Sequence, residues 1–191
     1  MRRGGDGVRA RHLQSRPLRV LDWQNRVLAY SGEMVHVGVG YDVHALVAGC
    51  KLILGGVEIP HDKGLEGHSD ADVLMHAICD AILGALGEAD IGHFFPNTDP
   101  RWRGAPSRLF LNEAARLTES RQGAIVNVDA TLIAQEPRLF PHLARMKANV
   151  AAALRVSPGQ VGIKATTNEH LGFIGRQEGI AAMAVAGVDL P

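Results

Sequence analysis

The residues able to do chemistry gather in two stretches. At the end of the run Val35 to Tyr41, Asp42 and His44 stand two apart, so on an extended strand both side chains point the same way and can reach one ion. Farther on, in HSDADVLMHAICDAILGALGEAD from His68 to Asp90, the residues Asp72, His76 and Asp80 are spaced by four and line one face of a helix, with His68 just before its start. One carboxylate and two imidazoles match the three-ligand set of catalytic zinc, which keeps a fourth position open for substrate or water. Taken singly, a DxH at a strand end is more often a turn residue beside a half-exposed histidine, and a lone helical histidine is usually satisfied by a hydrogen bond. Their combination is what points to a metal. Spacing does not separate His68 from His76 as the third ligand; a helix position is the more rigid and favours His76.

Regular elements must hold these side chains. The glycine-bounded, β-branched run Val35 to Tyr41 predicts a strand, and Val73, Leu74, Ala77, Ile78, Ala81, Ile82 and Ala85 recur at helical spacing, with Ser69 and Asp72 as a capping-box-like start and Gly87 as the stop. Between them, Lys51 to Leu54 and Val57 to Ile59 flank Gly55-Gly56 and predict a tight hairpin, followed by a glycine-containing loop through Gly64 and Gly67. Asp90 to Asp99 reads as a polar loop. Ser107 to Gln122 reads as a second helix capped by Ser107, and Ala124 to Ala134 as a strand running into a loop stiffened by Pro137 and Pro141, which suits the holding of a flat ring. Phe140 to Val156 is a third helix, Val161 to Ala165 a strand and Ile180 to Leu190 a last apolar strand. The turn between the last two carries Thr166, Thr167 and Glu169, with Arg176 beyond; hydroxyls, backbone N–H groups and a guanidinium fork are a phosphate-binding set. Strands alternating with helices imply a sheet with helical cover.

Composition narrows the class. With 191 residues and 46% hydrophobic content the chain can bury one core. Twenty basic and twenty acidic residues give a formal charge of zero, so no global field favours nucleic acid or an anionic membrane, and no apolar run approaches the roughly 18 residues of a membrane span. Cys50 and Cys79 make neither a disulfide framework nor a CxxC site, which suggests a reducing cytoplasm, with a plastid as the lesser alternative. Residues 1–33 differ from the rest: seven arginines, no lysine and no sustained period predict a disordered basic extension. Met34 falls immediately before the first strand, which favours an over-extended reading frame over a transit peptide or, least of all, an anion-binding arm, and no function is assigned to the extension. The domain is expected over residues 34–191.

The stretches GYDVHAL, LILGGVEIP, HSDADVLMHA, DIGHFFPNTDP, AQEPRLFPH and KATTNEHLGFIGRQEGIAA follow one another in an order and spacing that resemble the 2-C-methyl-D-erythritol 2,4-cyclodiphosphate synthase family, over residues 34 to about 186. The resemblance implies conversion of a cytidine diphosphate ester of methylerythritol 2-phosphate into the cyclic diphosphate with release of CMP, a phosphorus-oxygen lyase reaction of the non-mevalonate isoprenoid pathway. It implies an α+β fold, a two-layer α/β domain with a mixed four-stranded sheet and helices on one face. Three copies would form a homotrimer with active sites between subunits, without nucleic acid or membrane. It implies Zn2+ on Asp42, His44 and His76, with Asp42, Val43 and His44 also against the substrate, and Mg2+ or Mn2+ on Glu169.

By the same resemblance, His68 and Ser69 cover the substrate diphosphate, and His68 and Thr167 give donors to the developing charge. Asp90, Ile91 and Gly92 meet the ribose, and Phe95, Pro96, Asn97, Thr98 and Asp99 meet the methylerythritol end. Ala134, Gln135, Glu136, Pro137, Arg138, Leu139 and Phe140, with Thr166, Thr167 and Asn168, form the cytidine pocket of a neighbouring subunit. Phe173 and Arg176 match positions near the substrate and the trimer axis. Two departures stand out: the family pattern FPDTD reads Phe95-Pro-Asn-Thr-Asp99, and Arg138 replaces a usual lysine. The basic extension has no counterpart in the simplest family members.

Overall fold

The longest strand, β1 (Met34–Ala48), sets the plan of the domain through the two unlike faces that its alternation creates. A computed structural model describes residues 34–191. The disorder expected of residues 1–33 lies outside the described residues. After β1 come the short strands β2 (Leu52–Leu54), β3 (Val57–Ile59) and β4 (Lys63–Leu65), then helices α1 (Val73–Ala85), α2 (Ile91–Phe94) and α3 (Arg108–Ser120). The remainder is β5 (Ala124–Ile133), α4 (Leu143–Leu154), β6 (Val161–Thr166), the single turn α5 (Gly172–Gly175) and β7 (Gly179–Leu190).

The main sheet has the order β4-β1-β7-β5-β6, and β2 pairs with β3 in a separate hairpin that turns at Gly55-Gly56. Pairing is mixed, since β5 and β6 run parallel with α4 as their crossover while the other neighbours are antiparallel. Five strands replace the four expected, because the segment read as a glycine-containing loop pairs Leu65 with Leu46 and Lys63 with Ala48 at the sheet edge. For the same reason β1 does not stop at Tyr41. It pairs with β7 as far as Ala45 opposite Gly179 and continues against β4, so Asp42 and His44 lie inside the strand rather than at its end.

One face of the sheet carries α1, α3 and α4 and the hydrophobic core. Helix α1 lies unusually close to β1. A Cβ placed on Gly40 would sit 1.9 Å from the Ala77 carbonyl oxygen, and one on Gly38 would sit 2.0 Å from that of Ala81. Only hydrogen at those two positions lets the helix backbone descend onto the strand, and that descent brings His76 to Asp42. The opposite face shows Val35, Val37, Val39 and Tyr41 of β1 beside Met183 and Val185 of β7, all exposed.

The start of α1 differs from expectation. Its N-cap is Asp72, whose carboxylate accepts the Met75 N–H and also those of Gly55 and Gly56 in the hairpin turn. Asp72 is fully buried, so it belongs to the scaffold and not to a solvated polar face. Ser69 lies in the loop before it. Similarly, the polar loop after α1 contains α2, capped by Asp90 through the His93 N–H, and Asp80 holds that turn by accepting the Ile91 N–H at 2.8 Å. Helices α3 and α4 and strands β5, β6 and β7 fall within one to three residues of the positions read from periodicity.

Candidate active site

Strand β1 contributes Asp42 and His44 from its helix-facing side, and α1 contributes His76 from its first turn. The Asp42 carboxylate oxygen stands 2.9 Å from His76 Nδ1 and 3.1 Å from His44 Nε2, and the two imidazole nitrogens are 3.3 Å apart. Among the described residues this is the one group of three His, Cys, Asp or Glu donors close enough to share an ion, with ligand atoms all within 4.8 Å of one another. Three hard or borderline donors, two half-buried and His76 buried, beside an open cavity fit a divalent cation with a position left for an exchangeable ligand. Of the two histidines that spacing left open, His76 joins the cluster. His68 instead bonds through Nε2 to the Asp99 carbonyl at 3.1 Å.

Both imidazoles are held from behind. His44 Nδ1 donates to the Glu66 carbonyl at 2.7 Å, a contact supplied by the chain as it leaves β4. His76 Nε2 faces the Ser107 hydroxyl at 2.8 Å and the Ser69 hydroxyl at 3.2 Å. Electrostatics follow the packing. Burial works to raise the Asp42 carboxyl, but hydrogen bonds from His44 and His76, reinforced by their charge, outweigh it and hold the group well below the usual carboxylate range. Burial works to lower His44, and the Asp42 hydrogen bond and charge keep it above its ordinary value. Asp80, four residues beyond His76, is raised mainly by burial, with the Ile91 N–H pulling the other way.

A cavity of about 410 Å³ opens over the cluster and brings together His68, Ser69, Ile91, Gly92, Phe95 and Asn97 with Asp42, His44 and His76. Its apolar wall is an aromatic set of which the motifs singled out only Phe95, which packs against Phe110 at 4.4 Å and against Trp102 at 5.0 Å between ring centroids. Glu66 and Gly67 complete the lining. Several expected residues stand outside it. Val43 points to the opposite, exposed face of the sheet, because alternation along β1 places it there. Asp90 borders a separate shallow cleft with Val39, Tyr41 and Asp80. Pro96 and Thr98 are not in the lining, and the Asp99 carboxylate is clamped by Arg101, whose side-chain hydrogen bonds hold it below the usual range.

A second cavity, of about 520 Å³, lies at the ends of β5 and β6. Every residue from Ala134 to Phe140 lines it together with Ala165, Thr166 and Thr167. Thr167 Oγ1 donates to the Glu169 carboxylate at 2.6 Å, and Gln135 Oε1 accepts the His170 N–H at 3.1 Å. These contacts hold a bent turn in which Glu169 and His170 both take left-handed backbone angles, with φ of 50° and 60°. Asn168 turns away to donate to the Leu171 carbonyl, Phe173 is exposed, and Arg176 is paired with Glu178 at 2.8 Å. Glu169 belongs to no group of three or more such donors among the described residues. The two cavities share no lining residue.

A model of the YgbB family matches residues 35–189. The chain belongs to the YgbB family. Among relatives of this family member, the 2-C-methyl-D-erythritol 2,4-cyclodiphosphate synthase of Dechloromonas aromatica (strain RCB) is 62% identical over 153 residues, which cover 80% of this chain and 96% of that one. The enzyme of the same name from Ralstonia nicotianae is 59% identical over 150 residues, 78% of this chain and 89% of that one. Of solved structures, the CDP complex of IspF from Plasmodium falciparum superposes with a TM-score of 0.72 at 34% identity, covering 82% of this chain and 96% of that one. No helix among the described residues is long and apolar enough to cross a membrane.

Several residues of this family member's site escaped sequence reading, Trp102 among them. Ser107 was legible only as a helix cap, yet its hydroxyl makes no capping bond and faces His76 instead. The Glu66 carbonyl leaves no trace in side-chain patterns. Phe110 reads as one more apolar position of α3, and only the fold shows that it walls the cavity.

Proposed function

We propose that this chain is a 2-C-methyl-D-erythritol 2,4-cyclodiphosphate synthase. It converts 4-diphosphocytidyl-2-C-methyl-D-erythritol 2-phosphate into the 2,4-cyclodiphosphate and CMP in the non-mevalonate isoprenoid pathway, in the cytoplasm. The observation that carries this reading is the convergence of Asp42, His44 and His76 at the floor of a cavity that also holds His68, with a second, differently built cavity at the ends of β5 and β6.

An oxygen of the 2-phosphate attacks the β-phosphorus, a new P–O bond closes the ring, and the bond from that phosphorus to the bridging oxygen breaks, its electron pair leaving with CMP. No protein nucleophile takes part. What the chain supplies is alignment and stabilisation of charge. Asp42, His44 and His76 would hold Zn2+ and Glu169 would hold Mg2+ or Mn2+, cations that neutralise diphosphate oxygens as charge moves to the leaving group. His68 and Ser69 stand over the cluster as donors to the diphosphate, and Thr167, in the lining of the second cavity, would turn its hydroxyl from Glu169 to the departing phosphate. Ala134 to Phe140 present backbone groups and the Arg138 charge to the cytidine end. Ile91, Gly92 and Asn97 edge the space left for ribose and methylerythritol, with Phe95 as its apolar floor.

The same reading makes the protein a homotrimer. The exposed apolar face of β1 and β7 suits burial between copies. A substrate that spans cluster and cytidine pocket would use two cavities contributed by neighbouring chains. Phosphorus NMR of an incubation with substrate, zinc and magnesium tests the assignment. A cyclic diphosphate appearing with CMP is expected. Linear phosphates would mean a metal-dependent hydrolase, and unchanged substrate beside bound zinc would mean a scaffold without turnover; either overturns it.

A further inference from the structure

Behind His76 lies a polar pair that the reaction itself does not require. Ser107, wholly buried at the start of α3, places its hydroxyl 2.8 Å from His76 Nε2 and donates it in a short hydrogen bond to Asp70 Oδ1. Asp70 Oδ2 accepts the Ser107 N–H at 3.0 Å, and the Asp70 N–H donates to the Ala105 carbonyl at 3.0 Å, so two loops are stitched at this point. A hydroxyl carries one proton. A carboxylate can only accept, so that proton goes to Asp70, and the Ser107 oxygen must receive from His76. The imidazole proton is thereby fixed on Nε2. Nδ1, the nitrogen 2.9 Å from Asp42, is the one turned into the cluster, where a cation would take the place of the proton shared with that carboxylate. Ser69 lies farther from the same Nε2, at 3.2 Å, and its oxygen also accepts the Ala71 N–H.

We propose that Ser107 and Asp70 are positioning residues that fix the tautomer and the ring plane of His76 so that Nδ1 can bind a divalent cation. This rests on the reading of Asp42, His44 and His76 as the cation holder. A serine at a helix N-cap that makes no capping bond has given up a local preference, and the contact to His76 is what it gains. The arrangement is the carboxylate–hydroxyl counterpart of the backbone carbonyl that fixes His44.

The test uses the metal-free full chain titrated with zinc against a chromophoric chelator, together with imidazole nitrogen NMR. Ser107→Ala is expected to weaken zinc binding about 10- to 100-fold and Ser107→Thr, which keeps the hydroxyl, to restore most of it. Asp70→Asn can donate to the Ser107 oxygen and reverse the hydroxyl, so the Nδ1–H form of His76 should grow at the expense of Nε2–H. Zinc affinity within twofold of the wild type in Ser107→Ala overturns the proposal. Should that variant not fold, the nitrogen shifts of the zinc-loaded wild type decide alone: His76 with its proton on Nδ1 and zinc on Nε2 overturns it. If His76→Ala binds zinc as tightly as the wild type, the cation reading itself falls, an outcome distinct from a failure of Ser107 alone.

Discussion

The two cavities are built on opposite plans. The cation cluster stands on a strand and a helix pressed together backbone to backbone, its histidines each fixed by a second contact. The cavity at Ala134 to Thr167 is made of loop and strand-end residues, most of them exposed, with Ala134 and Leu139 as its buried members. Yet both lie at one end of the sheet, since His44 pairs with Ile180 and Ile133 with Ala181 on the shared neighbour β7. The difference teaches which half must be rigid. If the first holds a cation and the second a nucleoside, as proposed, the cation needs donors held to a fraction of an ångström, whereas the nucleoside can be gripped by backbone groups that settle when it arrives.

If each working site joins the cluster of one chain to the nucleotide cavity of the next, His76→Ala and Thr167→Ala damage different halves of one site. Each alone should cost about 10²-fold or more in turnover, the cluster variant by losing its cation. Assembled together at random, the two variants should regain about a quarter of the wild-type activity, because that share of the interfaces pairs an intact half with an intact half. Co-expression with two tags and a turnover assay measures it. Activity no higher than the sum of the parents would break the two-chain site.

The rigid half should also fail first when its packing is disturbed. Gly40→Ala drives a methyl to within 1.9 Å of the Ala77 carbonyl, and α1 must lift from β1. A loss of roughly 1–3 kcal/mol in unfolding free energy is expected, with weaker cation binding in the same variant. Nucleotide binding, measured by CDP titration, should change less than cation binding. An equal loss of both would mean that the two halves are not separable.

Asp72 probes the same scaffold through pH. Burial pushes its carboxyl up to about 6, while the N–H groups of Gly56, Gly55 and Met75 pull the other way. With a folded value above the unfolded one of 3.8, the native state holds a proton that the unfolded chain has released. Stability from this group is therefore fully present below pH 3.8 and falls as pH rises to 6, by about 3 kcal/mol at most. Denaturant melts of the wild type and Asp72→Asn across that window check it. The asparagine should abolish that part of the slope, and it should lower stability near pH 4 by about 1–3 kcal/mol because its amide faces the Gly56 N–H.

How much of this was legible before folding depends on what carries each contact. Periodicity marks helices and strands well, as α1 and the Gly55-Gly56 hairpin show, because side chains report burial directly. The convergence of Asp42, His44 and His76 was legible because a metal site would demand rare side chains at fixed spacing. Strand β4 was not, since Lys63 to Leu65 carries no alternation and is held by its edge pairing with β1. Nor was the role of Asp72, which looks like a polar helix residue until the hairpin closes over it, or the partnership of Ser107 with His76, which a separation of 31 positions hides. Val43 illustrates the converse. A motif places it between two candidate ligands, and strand alternation then turns its side chain to the other face.

The smallest effect belongs at the seam between the two halves. Asn97 lines the cation cavity at its exposed edge, where the resemblance places an aspartate. An amide oxygen accepts a hydroxyl proton as a carboxylate does, but without its charge. Because the position is open to water, the charge-assisted increment is screened, and Asn97→Asp should strengthen substrate binding by about 1 kcal/mol, roughly fivefold in KM, with kcat unchanged. Steady-state kinetics separates the two constants. A change confined to kcat would place residue 97 against the reacting phosphates instead of the sugar-alcohol hydroxyls, and would move the seam toward the cluster.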